Sequence, residues 1–356
     1  MPVKKSVQSD AHCRVRTARR ALIPVAFSLW LAASSAYADL GLQRVISLPG
    51  VRGQIGGLAL DNAHQHLFVA VTGGNRVLAI DLGQGKIINQ ITGLNGPGEV
   101  TYLPDGRLAI NCRNSGTISF YDATTLNLNA SVIFGDSAGA LRFDPISKKL
   151  YFGYARTAQN GIAVVDNDGK PLTQLTVADK PQGLAVDATA GRLYVGFPDL
   201  NAITVFDLHD DKPLATWSLG SGDGASYPLE LDGDGKRLFI GGRNGDEIAV
   251  LDTQTGKQLQ AIAAPGDEKV LSFNARDREL YVPGGTGQLA IYREDAEGLL
   301  HEVGRILTRH GARNGLFDAE SGRYYLAVPA NQSGPAEIRV YLVVDRASGV
   351  VSKDGN

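Results

Sequence analysis

The chain is short of the residues that build chemistry from one or two side chains. It has two cysteines, and only Cys112 lies beyond residue 38. That rules out an internal disulfide in the later part and any thiolate set for zinc or an iron–sulfur cluster. Cys112 ends an apolar phrase, Arg107-Leu-Ala-Ile-Asn-Cys112, with no histidine beside it, so burial is expected rather than reactivity. No G-x-S-x-G elbow occurs. Glycine-rich stretches such as Leu219-Gly-Ser-Gly-Asp-Gly224 lead into a strand pattern. A phosphate cradle needs a helix N-terminus after the glycines, and none is expected there. Neither half of the charge dominates, with 35 basic and 37 acidic residues.

The first 38 residues do not read as fold. Lys4, Lys5, Arg14, Arg16, Arg19 and Arg20 make a basic front, and Ala21 to Ala33 is an apolar run too short for a membrane span. Ala36-Tyr37-Ala38 offers a cleavage site, so residues 1–38 are expected to be an export signal that delivers the chain to the periplasm or the exterior. Arg19-Arg20 keeps the twin-arginine route open beside the general one. Without that segment the chain carries 29 basic and 36 acidic residues, a net of −7. Such a balance repels phosphate backbones overall.

What the chain has is a phrase repeated seven times: a small-residue loop, a short apolar strand, an acidic turn, and a strand of the type Arg/Lys-Leu-Tyr/Phe-Val. The second strand of each unit begins at His66, Arg107, Lys149, Arg192, Arg237, Glu279 and Arg323, at spacings of 41 to 45 residues. A period of this length with several strands per unit is the mark of a β-propeller. Inner strands read Gly57-Leu-Ala-Leu-Asp61 or Gly183-Leu-Ala-Val-Asp187, and third strands read Ile203-Thr-Val-Phe-Asp207 or Ile248-Ala-Val-Leu-Asp252. Fourth strands such as Lys86-Ile-Ile-Asn-Gln-Ile91 are more polar, as outer strands with a solvated edge should be. Units one to six supply four strands each. Unit seven supplies three, and the spare strand Arg44-Val-Ile-Ser-Leu48 fits as its outer strand. The expectation is an all-β, seven-bladed propeller over residues 39–345, with its last blade closed by the N-terminal strand. Residues 346–356 read as a flexible tail, and a monomer is expected.

The phrase ending in Asn and a Val-rich strand resembles the YVTN-repeat propellers. The best local match is Arg192-Leu-Tyr-Val-Gly-Phe…Asn201-Ala-Ile-Thr-Val-Phe-Asp207, followed by His66-Leu-Phe-Val-Ala-Val…Asn75-Arg-Val-Leu-Ala-Ile-Asp81. Arg237-Leu-Phe-Ile-Gly-Gly…Asn244 follows it too. The resemblance covers nearly the whole chain after residue 38. It implies an exported YncE-like binding or scaffold protein with no agreed chemistry. Arg293 and Leu342 depart from it, standing where an Asp usually ends the third strand.

The recurring acids Asp81, Asp122, Asp166, Asp207 and Asp252 mark one strand end. Asp61, Asp144, Asp187, Asp232 and Asp318, with Asn274, mark another. Equivalent blade positions are spread around a ring, so these acids read as turn formers that bond their own backbone rather than as metal ligands. Asp232-Gly-Asp234-Gly235 lacks the further acids of a calcium loop and reads as a hairpin turn. His64 and His66 have no third ligand in view. What varies between blades is concentrated in loops at one face, where Arg52, Glu99, Arg113, Asn114, Arg156, Lys180, Arg243, Asn244, Lys269, His310, Arg313 and Asn314 converge on a funnel. Its arginines either take a carboxylate or phosphate ligand or pair with Glu99, Asp223, Asp246 and Asp267. The reading is a ligand- or protein-binding propeller without catalysis, cofactor or metal, whose partner is a protein, a peptide or an anionic small ligand. The alternatives are a metal-dependent lactonase or hydrolase of the gluconolactonase type using Glu99, Asn314 and His310, and binding of single-stranded nucleic acid. A quinoprotein is excluded, since Trp217 is the one tryptophan beyond residue 38 and recurrent Trp docking between blades cannot form.

Overall fold

The computed structural model describes residues 40–157, 159–219, 228–242 and 246–343. The expected export signal and tail, and Asp223, Arg243 and Asn244, lie outside the described residues. Seven antiparallel sheets of four strands follow one another around an axis. Their inner strands are Leu58–Asp61, Pro97–Tyr102, Ser137–Phe143, Gly183–Asp187, Leu229–Leu231, Ser272–Asn274 and Asn314–Asp318, in blades one to seven. Each inner strand touches the next, and that of blade seven touches that of blade one, so the ring is closed. Among the described residues no helix is long and apolar enough to cross a membrane.

Blade seven takes its outer strand from the other end of the chain. Leu40–Ser47 pairs antiparallel with Glu337–Val343, with Ile46 opposite Ile338 and Leu42 opposite Tyr341. The strand starts a few residues before the expected stretch, and Ile46 and Leu48 are buried against Val69, Tyr325 and Ile338. The spare N-terminal strand thus both completes a sheet and seals the joint between blades seven and one.

The core is not a single mass. Seven apolar clusters lie one per joint between neighbouring blades. This arrangement accounts for the near-continuous apolar second strands. In Leu67-Phe-Val-Ala-Val71 every residue is buried, with alternate side chains entering the joints on either side: Leu67, Val69 and Val71 pack towards blade seven, Phe68 and Ala70 towards blade two. Outer strands lose this two-sided cover, and Ile133 on the fourth strand of blade two is 71% exposed.

The recurring acids are turn formers. Asp81 accepts the Gln84 amide, Asp122 those of Thr124 and Thr125, and Asp252 those of Gln254 and Thr255. Asp61, Asp144, Asp187, Asp232, Asp318 and Asn274 do the same at the other strand end. In blade six the duty has moved two residues along, to Asp295, which accepts the Glu297 and Leu299 amides, while Arg293 pairs with Glu279. In blade seven the place beside the third strand is taken by Leu40–Ser47 from the other end of the chain, so no hairpin turn acid is called for at Leu342. The Asn of the repeat phrase has its own cause. Asn75 and Asn201 close short 3-10 turns in the left-handed region, at φ of 51° and 48°, which Asn tolerates better than most residues.

Ring closure is testable through Ile46. Its truncation to Ala should cost about 2–4 kcal/mol in urea unfolding, as for a fully packed core aliphatic. Truncation of Leu42, 54% exposed on the same strand, should cost well under about 1 kcal/mol.

Candidate functional site

Where the inner strands converge, their sheets leave a cavity of ≈ 380 Å³ on the axis. Its wall is made by residues of blades one, two, three, five, six and seven among those described. The polar and charged part comprises Gln54, Thr72, Glu99, Thr101, Arg113, Arg142, Glu230, Lys269, Ser272, Arg313 and Asn314. Phe143, Phe273 and Phe317 belong to the apolar part, with Leu58, Val100, Leu316 and other aliphatic residues.

The structure therefore gathers Glu99, Arg113, Lys269, Arg313 and Asn314 of the expected funnel set. Arg52, Asn114, Arg156, Lys180 and His310 are not part of this wall. Arg156 is held elsewhere: its Nε donates to the Phe134 carbonyl and its guanidinium lies 5.3 Å from the Tyr154 ring centre. Arg52, Asn114 and His310 are exposed, and Lys180 is half-buried.

Five of the polar wall groups also stitch neighbouring blades together. Glu99 in blade two accepts the Leu141 amide of blade three at 2.8 Å and the Arg142 guanidinium at 3.1 Å. Arg142 in turn donates to the Leu141 carbonyl at 2.7 Å. Behind them the fully buried Asn111 accepts the Glu99 amide and donates to the Gly139 carbonyl, tying blade two to blade three. Thr72 donates to the Pro97 carbonyl, and Asn314 donates to the Ile55 carbonyl across the closing joint. Arg313 Nη1 donates to both carboxylate oxygens of Asp267, at 2.5 and 2.7 Å. The expected pairing of funnel arginines with acids thus holds for Arg313 with Asp267, while Glu99 takes Arg142 instead of a loop arginine.

Two groups are less committed. The Arg113 backbone is pinned, its amide donating to the Gly96 carbonyl and its carbonyl accepting the Ala138 amide. Its side chain, however, makes no hydrogen bond or ion pair with the described residues, and its Nε is buried without a partner. It lies over Gly98, where a Cβ would come 2.5 Å from that nitrogen. Glu230, on the inner strand of blade five, is pushed up to about 7 by burial, although Arg142 and the Phe273 amide both favour its charged form. Glu268, close behind the wall and buried, is likewise pushed up to about 7 by burial, with Asp246 and Asp267 adding to the shift and the Gly266 amide opposing it.

Arg142 and Glu230 were not among the expected site residues. Both stand two positions before the strand-ending Asp, a place that reads Ala59 and Ala185 in blades one and four. A charge in that apolar frame was the available signal.

The comparisons agree with the ring. No family model matches the chain. Over 121 residues it is 37% identical to the uncharacterised protein YncE of Salmonella typhimurium, covering 33% of this chain and 31% of that protein. The YncE of Salmonella typhi is 36% identical over the same length. That homology and the seven-bladed ring fit a YncE-like propeller family. The chain thus matches less than a third of the length of these curated relatives. A chain in the crystal structure of a mitotic checkpoint complex superposes with a TM-score of 0.70, at 16% identity, over 95% of this chain and 100% of that one. At that identity the likeness is one of fold.

Two outcomes test this geometry. Asn111→Ala removes both bonds at the joint of blades two and three and leaves two backbone groups unmet, so it should destabilise by about 1–3 kcal/mol in urea. Glu230 and Glu268 release their protons in the unfolded chain near the ordinary glutamate value of 4.5 but hold them in the fold to about 7. The folded state then binds more protons across that window, so stability is complete below it and falls as pH rises through it. Urea midpoints measured from pH 5 to pH 8 should fall. Glu230→Gln should lose its share of that fall, about 1–3 kcal/mol.

Proposed function

We propose that this chain is an exported ligand-binding propeller without catalysis of its own, acting through the axial cavity. The observation that carries the reading is the cavity wall, to which six blades bring separate polar groups around one space. Its volume of ≈ 380 Å³ falls at the small end of ligand sites, roughly 300–1,000 Å³. A site of this size suits a compact molecule better than a folded partner. The basic front and the Ala36-Tyr37-Ala38 site support export, and the likeness to YncE is consistent with a binding scaffold.

Catalysis has weaker support. A hydrolase reading on this fold relies on Glu99, Asn314 and His310. Glu99 is held by an amide and a guanidinium, Asn314 by the Ile55 carbonyl, and His310 stands outside the cavity wall. Among the described residues no group of three or more His, Cys, Asp or Glu is placed to hold a metal ion.

The test is a thermal-shift screen of small metabolite-like compounds against the full chain and against Thr101→Trp, which fills the cavity. A ligand at one hundred times its Kd stabilises by about 2.7 kcal/mol. At least one compound should raise Tm in the wild type and lose that effect in Thr101→Trp. A shift that survives the filled cavity would move the site elsewhere. Calcium-, magnesium- or zinc-dependent lactone hydrolysis would overturn the non-catalytic reading.

A further inference from the structure

The wall of the axial cavity is uneven in one respect. One of its carboxylates, Glu99, and two of its cations, Arg142 and Arg313, are already used to hold blades together, through the Glu99–Arg142 and Arg313–Asp267 pairs. Arg113 is not: it is a guanidinium on a pinned backbone, its Nε buried and unbonded, lining the same space as Phe143, Phe273 and Phe317. A buried N–H without an acceptor is unfavourable, and the Arg113 Nε is one such donor. A ligand that accepts from the guanidinium removes that penalty. The guanidinium fork matches a carboxylate in two-pronged geometry. Phe143, Phe273 and Phe317 give the rest of such a molecule apolar surface, with Phe273 and Phe317 held in place by Phe239 and Tyr281 in the joints.

Building on the cavity reading above, we infer that the ligand is a small organic acid bound as its carboxylate anion. Its carboxylate sits on Arg113 and its apolar body lies against the phenylalanine side of the cavity. Gly98 belongs to this site, because any side chain there would displace the arginine that rests on it. Glu230 contributes by being neutral. Burial keeps its proton to about 7, so below that pH the wall presents no free negative charge to an incoming anion. The charged groups that share the cavity with it are Glu99, Arg113, Arg142, Lys269 and Arg313. Of these, Glu99 is neutralised by Arg142, and Arg313 by Asp267 behind the wall.

Isothermal titration of the full chain at pH 6 with benzoate, benzamide and inorganic phosphate separates the parts of the inference. Benzoate carries the carboxylate and the ring, benzamide the ring alone, and phosphate a charge alone. Benzoate should bind at least about tenfold more tightly than either. Arg113→Gln should weaken benzoate about tenfold or more while its Tm without probe stays within a few degrees of wild type. Raising the pH to 8 should weaken benzoate in the wild type but not in Glu230→Gln. The inference is overturned if benzamide binds as tightly as benzoate, if phosphate outbinds it, or if Arg113→Gln leaves benzoate affinity unchanged. A neutral or cationic compound whose Tm effect vanishes in Thr101→Trp would overturn the carboxylate inference yet leave the cavity reading standing. Loss of every cavity-dependent effect would remove both.

Discussion

The whole structure depends on apolar burial that runs in a circle. Each blade is a sheet with two apolar faces, and each face is covered by the next blade rather than by a central core. In a linear stack the first and last faces would be bare. Closing the ring covers both at once. The closing strand Leu40–Ser47 is therefore more than an added edge: it places Ile46 and Leu48 in the joint where the two ends of the stack meet. The hollow axis follows from the same constraint. Twisted sheets that pack side by side spread outwards, and their inner strands approach without filling the centre. The cavity is a by-product of how the core is divided.

The fold was legible because the chain spells it out repeatedly. A period near 43 residues, three strands in the last unit and one spare at the front require a closed seven-bladed ring. Asp252-Thr-Gln-Thr-Gly256 reads as a turn on its own, since an Asp oxygen three atoms from the chain reaches the next amides whatever surrounds it. The site was less legible. Glu99, Arg113 and Asn314, read as loop residues, fall on the right face because blade topology assigns strand ends to faces, although Glu99 and Asn314 lie within the inner strands Pro97–Tyr102 and Asn314–Asp318. How far a side chain reaches from its loop depends on its neighbours in space, and Arg156 turns to the Tyr154 ring and the Phe134 carbonyl instead. Arg142 pairs with Glu99 across a joint, 43 residues away in sequence. No local pattern encodes a contact of that range. Their strand position does: a charge at a place held by Ala in other blades marks a departure from scaffold.

Polarity at the axis has two origins, and separating them bears on function. Glu99, Asn111, Thr72 and Asn314 are polar because backbone groups at the blade joints must be met where ordinary sheet pairing ends. Their partners are main-chain amides and carbonyls, mostly of the adjacent blade, with the Arg142 guanidinium added at Glu99. To act as a base or a metal ligand, Glu99 would have to give up the Leu141 amide and the Arg142 guanidinium. That would leave the Leu141 amide without an acceptor and Arg142 without its carboxylate at the joint, a penalty of about 1–3 kcal/mol for the amide alone. Such groups are poor candidates for chemistry however suggestive their cluster looks.

A binding site makes the opposite demand. It needs groups held still and left incomplete, so that a ligand completes them without rearranging the ring. Arg113 has that character: its backbone is fixed by two hydrogen bonds, its side chain rests on Gly98, and its donors are unmet by the described residues. Glu230 shares it in part, with the Phe273 amide met and its proton retained near neutrality. These two groups come from blades two and five, and the stitching that occupies their neighbours holds both at the wall of the same small space. Rigidity at the axis and specificity for a ligand are thus products of one arrangement, in which the joints consume the polar groups they need and leave over those with which the cavity can recognise a guest.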